Sequence, residues 1–150
     1  MLVSIPADLQ RFRRLTLGRI VVLGRRTLAT FPGDRPLEGR TNMILSRSVQ
    51  TVEGAQVFPD LAALFARLRN CDLSQVSVIG GAAVYEALLP YCEKAYVTKT
   101  FLAPEADAFF PDLDRLENWS VEAAGPVLEE NGVRFQYVDY VNTAVLALPL

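Results

Sequence analysis

Position 8 holds a carboxylate inside the stretch IPADLQRFRRLT, with Leu9 and Phe12 as apolar neighbours. A lone acid on the apolar flank of a helix has a proton affinity that responds strongly to desolvation, which makes Asp8 the first candidate for acid–base work. The plainer alternative is a charge in the first helical turn, where the helix dipole favours an anion. The chain contains no histidine. Serine–histidine triads, histidine metal sites and imidazole acid–base chemistry are therefore excluded. Proton transfer must fall to a carboxylate, Lys, Cys, Tyr or water.

A second group of residues repeats one arrangement. VVLGRRT sets Gly24, Arg25, Arg26 and Thr27 just past a strand-like run; MILSRS sets Ser46 and Arg47 in the same relation; VIGGAAVYE sets Gly80 and Gly81 at the start of a helix-like run. Ligands of open α/β sheets bind beyond the carboxyl ends of the strands. Backbone N–H groups behind glycines donate to phosphate oxygens, and arginine forks suit bidentate contacts to them. A phosphate-bearing ligand follows from this grouping. So, equally, does a tight glycine turn with solvated arginines, and the residues alone leave both readings open. GxGxxG and P-loop motifs are absent.

These residues need elements to hold them. Pro6 and the spacing of Leu9, Phe12, Leu15 and Leu17 predict a helix over 6–16 with one buried stripe. RIVVLG (19–24) and TNMILS (41–46) predict buried strands, with a short helix after the first, closed by FPGDRPLEGR. Residues 60–70 place Leu61, Leu64, Phe65 and Leu68 on one helical face. QVSVIGG (75–81) predicts a strand, 82–90 a helix stopped by Pro90, and 94–100 another strand. WSVEAAG (119–125) and VRFQYVDY (133–140) predict a closing hairpin around EENG. The expected fold is α/β: a central, mostly parallel sheet with an antiparallel C-terminal hairpin and helices on both faces.

At 150 residues the chain is expected to form one domain spanning 1–150. A net charge of −2, with both signs scattered, argues against non-specific nucleic-acid binding. No apolar run is long enough to span a bilayer, and MLVSIPADLQ lacks the pattern of a signal peptide. Cys71 and Cys92 are expected as reduced thiols, without a CxxC pair. A cytoplasmic protein is the expectation.

Taken together, IPADLQRFRRLT, IVVLGRRTLATFP, PLEGRTNMILSRS, VSVIGGAAVYEALLPYCEKAYVTK and EADAFFPDL resemble dihydrofolate reductase in order and spacing. The resemblance implies NADPH as cofactor and dihydrofolate or antifolates as small-molecule partners. It implies that Asp8 binds the pterin edge and favours protonation of the nitrogen beside the carbon that receives hydride. Leu9, Phe12, Phe31, Leu37 and Ile79 match substrate-pocket positions. Arg40 matches the arginine that pairs with the substrate's α-carboxylate, and Thr98 the threonine that supports the acid. For the cofactor, Gly24, Arg25, Arg26 and Thr27 match the first binding turn. Leu45, Ser46 and Arg47 match the 2′-phosphate end, with Arg47 implying NADPH over NADH. Gly80, Gly81, Ala82, Val84 and Tyr85 match the pyrophosphate and nicotinamide region, where the family joins the two glycines by a cis peptide bond.

One departure stands out. The family carries a central strand and a mobile loop ahead of IPADL, whereas only MLVS precedes it here. The first strand is thus expected to be missing. The apolar tail TAVLALPL (143–150), from this chain or a strand-exchanged second copy, is expected to occupy part of its slot beside the strands at 20–23 or 76–79. Two rivals to the reductase are an impaired binding remnant of the same fold and a riboflavin-pathway-type reductase. Asp8 with Arg40 favours folate.

Overall fold

The computed structural model describes residues 6–48, 51–100 and 113–148. Two compact units emerge, one from residues 6–12, 88–100 and 113–147, the other from 13–48, 51–87 and 148. The helix α1 (Pro6–Thr16) runs from the first into the second.

In the second unit, β1 (Ile20–Gly24) lies between β2 (Thr41–Leu45) and β4 (Val76–Gly80), and β3 (Ala55–Phe58) flanks β2. Every neighbour is parallel. Successive strand residues face opposite sides of a sheet, and Val21, Val22 and Leu23 are all fully buried. Both faces of β1 are therefore covered, which is why this strand is continuously apolar. Val21, Leu23, Leu28 and Ile44 form one cluster, with Phe31, Val57 and Ile79 packed against it. The connecting helices are α2 (Arg25–Leu28), α3 (Leu61–Leu68) and α4 (Ala82–Leu88), which continues as a 3₁₀ turn at Leu89–Tyr91. Asp60 caps α3 by accepting from the Ala63 N–H at 2.8 Å, and Leu64, Phe65 and Leu68 are buried beneath it.

The first unit is antiparallel. β5 (Lys94–Thr100) and β6 (Trp119–Ala124) flank β8 (Val133–Asn142), and β7 (Leu128–Glu130) also pairs with β8. Ala95, Leu113, Trp119, Val138 and Tyr140 form the core on one face. A 3₁₀ turn at Leu113–Arg115 is tied to it, because Asp114 accepts from Lys99 Nζ at 2.8 Å and from Tyr140 Oη at 2.9 Å. Those two hydrogen bonds hold the Asp114 carboxyl below its ordinary range.

Several expectations need adjustment. β3 was not foreseen; it is short and half-exposed, so periodicity marks it weakly. The expected hairpin arm divides into β6 and β7 around Gly125 and Pro126, the latter lacking a ladder N–H. Asn131 and Gly132 turn the chain with φ of 52° and 78°, the backbone an Asn-Gly hairpin requires.

Within this chain, the described tail residues 143–148 do not pair with β1 or β4. Residues 143–148 carry no strand, and Val145 and Leu146 are 46% and 55% exposed. Asn142 is the physical reason. Its Oδ1 accepts from the Ala144 N–H at 2.9 Å, which bends the chain out of β8. The N–H groups of Thr143 and Leu146 then go to the carbonyls of Asn118 and Pro90 instead of a ladder. Among the described residues, β4 pairs only with β1 and β5 only with β8.

Candidate functional site

The parallel strands of the second unit end in step. The register sets Leu45 beside Gly24, and Gly80 beside Leu23 across a β-bulge. The three predicted strand ends therefore meet at one carboxyl edge. Gly24, Thr27, Gly80, Gly81 and Val84 approach closely there. A Cβ on Gly24 would lie 3.1 Å from Val84 Cγ2 and 3.9 Å from the Gly80 carbonyl oxygen. One on Gly80 would lie 3.1 Å from Thr27 Oγ1, and one on Gly81 3.3 Å from the same atom. Gly80 also has a φ of +137°, which side-chain-bearing residues rarely adopt. The bond joining Gly80 and Gly81 is cis, as the resemblance implies. α4 starts at Ala82, and the Tyr85 N–H donates to the Gly81 carbonyl at 2.9 Å.

Around this edge the second strand end contributes Ser46, which is buried, and Arg47, which is exposed. The Ser46 N–H donates to the Phe58 carbonyl at 2.9 Å, so β3 carries the pairing one residue past β2. Arg25 and Arg26 form the first turn of α2. Every cofactor position named from the sequence thus belongs to the second unit.

Four of the substrate positions, Phe31, Leu37, Arg40 and Ile79, lie in this same unit. Phe31 and Ile79 pack against the β1 core cluster. Leu37 and Arg40 line an open concavity of about 630 Å³ with Asp34, Arg35, Glu38 and Glu53. Arg40 donates through Nε to Thr16 Oγ1 at 3.1 Å and through Nη1 to the Glu38 carbonyl at 2.7 Å. Burial, and then the Arg13 cation, lower its proton affinity. A guanidinium nevertheless stays charged in water, so an incoming carboxylate would relieve the repulsion between the two arginines.

Sequence reasoning missed Asn42, which builds the loop that presents Arg40. Its side chain, 2% exposed, accepts from the Leu37 N–H at 3.1 Å and donates to the carbonyls of Leu37 at 2.9 Å and Arg40 at 3.2 Å. A polar residue in an otherwise apolar strand was the available signal. Asn42→Ala is expected to cost roughly 1–3 kcal/mol in urea unfolding, because it leaves three partly buried backbone groups without their partner.

The first unit holds the remaining substrate positions. α1 carries position 8, Leu9 and Phe12, and β5 carries Thr98; the Asp8 side chain lies outside the described residues. The buried stripe expected of α1 is only partly realised. Phe12 and Leu15 are half-buried, but Leu9 and Leu17 are 46% and 48% exposed. Arg11, at 16% side-chain exposure, is held in place by an ion pair and aromatic rings, and Thr16 is buried. Both cysteines are free, and burial pushes the Cys92 thiol up to about 11, so it is unreactive near neutral pH.

Comparison with known proteins decides the family of the chain. A family profile described as dihydrofolate reductase matches residues 1–142. The chain belongs to the dihydrofolate reductase family. It is 32% identical over 138 residues to a dihydrofolate reductase of Neisseria meningitidis serogroup B, covering 91% of this chain and 83% of that protein. It is 37% identical over 141 residues to a dihydrofolate reductase of Mycobacterium leprae, with the same two coverages. A dihydrofolate reductase type 3 of Salmonella typhimurium is 40% identical over 109 residues, covering 72% of this chain and 65% of that protein. For this dihydrofolate reductase family member, no described helix is long and apolar enough to cross a membrane.

Proposed function

We propose that this chain transfers hydride from NADPH to 7,8-dihydrofolate, giving tetrahydrofolate, in a cytoplasmic setting. The observation that carries the reading is the close approach of Gly24, Thr27, Gly80 and Gly81 at one sheet edge, in a chain of this family. A nicotinamide dinucleotide fits that edge. The glycines let the turns after β1 and β4 close on one another, since a Cβ at Gly24, Gly80 or Gly81 would press on Val84 or Thr27, and strand-end turns of this kind are where nucleotides bind in α/β sheets. Arg25, Arg26 and Arg47 supply cations for the phosphates, with Arg47 suited to the 2′-phosphate. Bound there, NADPH supplies the hydride.

The chain's own residues do the rest. Asp8 accepts hydrogen bonds from the pterin edge, fixes its orientation and favours a proton on the nitrogen beside the accepting carbon. Thr98 supports that carboxylate. Leu9, Phe12, Phe31, Leu37 and Ile79 present apolar surface to the rings. Arg40, on the loop tied down by Asn42, receives the α-carboxylate of the glutamyl tail.

The test is loss of NADPH absorbance with dihydrofolate present, with NADH as comparison. Turnover faster with NADPH than with NADH is the expected result. A folded chain that binds NADPH but never oxidises it would be a binding protein instead, and the reductase reading would fail. Arg40→Lys is expected to raise KM for dihydrofolate about tenfold, because an ammonium cannot reproduce the planar fork, while KM for NADPH stays the same.

A further inference from the structure

The geometry points to Arg11 as a positioning residue for the substrate half of the site, an inference that rests on the reductase reading above. Arg11 Nη2 donates to Asp139 Oδ1 at 2.8 Å. Its guanidinium carbon sits 4.1 Å from the centre of the Tyr137 ring and 5.8 Å from that of Tyr96. Arg11 and Asp139 have side-chain exposures of 16% and 31%, so this ion pair is partly withdrawn from water. Such a pair exceeds an exposed one in strength and in directional demand.

The partners form a pattern. In the β5–β8 ladder Tyr96 lies opposite Asp139, and Thr98 opposite Tyr137. Residues two apart on a strand share a face, so Tyr96, Thr98, Tyr137 and Asp139 make a square on one side of the sheet. The other side carries Ala95, Val138 and Tyr140 and is filled by the core. Arg11 seats the first turns of α1 on the square that contains Thr98. Position 8 precedes Arg11 by three residues, roughly one turn along the helix and about 60° round its axis. The rotation and height of α1 over this square therefore set where position 8 stands relative to Thr98. An apolar side chain at position 11 would permit sliding and rolling. A guanidinium held by one carboxylate and two ring faces permits one seating.

Arg11→Met and Arg11→Lys in the full chain test this. For Arg11→Met, KM for dihydrofolate is expected to rise about tenfold, with KM for NADPH within about twofold of the parent, because only substrate positioning is lost. Arg11→Lys keeps the charge but not the planar stack, so it should recover part of the lost kcat/KM. Amide hydrogen exchange in α1 and β5 should accelerate in Arg11→Met while β1 and β2 remain protected. Unchanged KM for dihydrofolate together with unchanged α1 exchange would overturn the inference. So would uniform acceleration in both units, which marks a purely structural role. If Arg11→Met does not fold, Arg11→Lys and Asp139→Asn carry the same comparison. If the parent chain shows no turnover, the reductase reading fails separately, and exchange in α1 alone decides whether Arg11 seats the helix.

Discussion

Asp8→Asn is expected to lower kcat/KM for dihydrofolate about 10²–10⁴-fold at neutral pH, the range typical of removing a positioned acid–base group. The chain has no histidine, and Asp8 is the one acid assigned to the pterin, so the lost proton supply has no replacement there. The residual rate of Asp8→Asn should rise as pH falls, because only substrate already protonated in solution can then accept hydride. KM for NADPH should stay within about twofold, since Asp8 is assigned no part in holding the cofactor. Steady-state kinetics across pH with both substrates varied would check all three. A variant with near-parental kcat/KM would remove Asp8 from the mechanism.

Gly80→Ala should act through both stability and cofactor affinity. The residue sits at φ of +137°, where an L side chain is strained. The new methyl would also meet Thr27 Oγ1 at 3.1 Å. Together these are expected to cost about 2–4 kcal/mol, lowering Tm by roughly 5–15 °C. Relief requires β4 to shift against the turn after β1, the edge proposed to cradle NADPH. The dissociation constant for NADPH is therefore expected to rise at least tenfold, read by calorimetry. Gly132→Ala provides the contrast. Its φ is +78°, yet a Cβ there meets nothing within 4 Å, so it should lose some stability and leave NADPH binding intact. Equal affinity in Gly80→Ala and the parent would show that this edge does not hold the cofactor.

Much of the fold was legible because its signals are local. IVVLG is apolar without alternation because both faces of β1 are covered. The helical stripe of Leu64, Phe65 and Leu68 is buried in α3 as its spacing predicts. Asn131–Gly132 turned the hairpin. The strand-end residues could be grouped for a related reason. In a parallel sheet, carboxyl ends lie on the same side, so Gly24, Ser46 and Gly80 had to share an edge once their strands were parallel. β3 escaped because a short, half-exposed edge strand shows no strong period. The tail misled because apolar content predicts burial, whereas the Asx turn at Asn142 and two loop carbonyls decided its path.

By itself, the sequence determined the class of fold, the family, the absence of imidazole chemistry, and which residue types were available for a proton and for phosphates. All of these follow from residue identity and short-range spacing. Tertiary structure alone decided that Arg11 sits on Tyr137 and Asp139, that Asn42 holds the Arg40 loop, and that Gly80 presses on Thr27. Arg11 and Asp139 are 128 positions apart in the chain. A charged residue on a helix ordinarily belongs in water. Only a strand returning from the far end of the chain, with a carboxylate and a ring at the right register, makes burying that charge favourable.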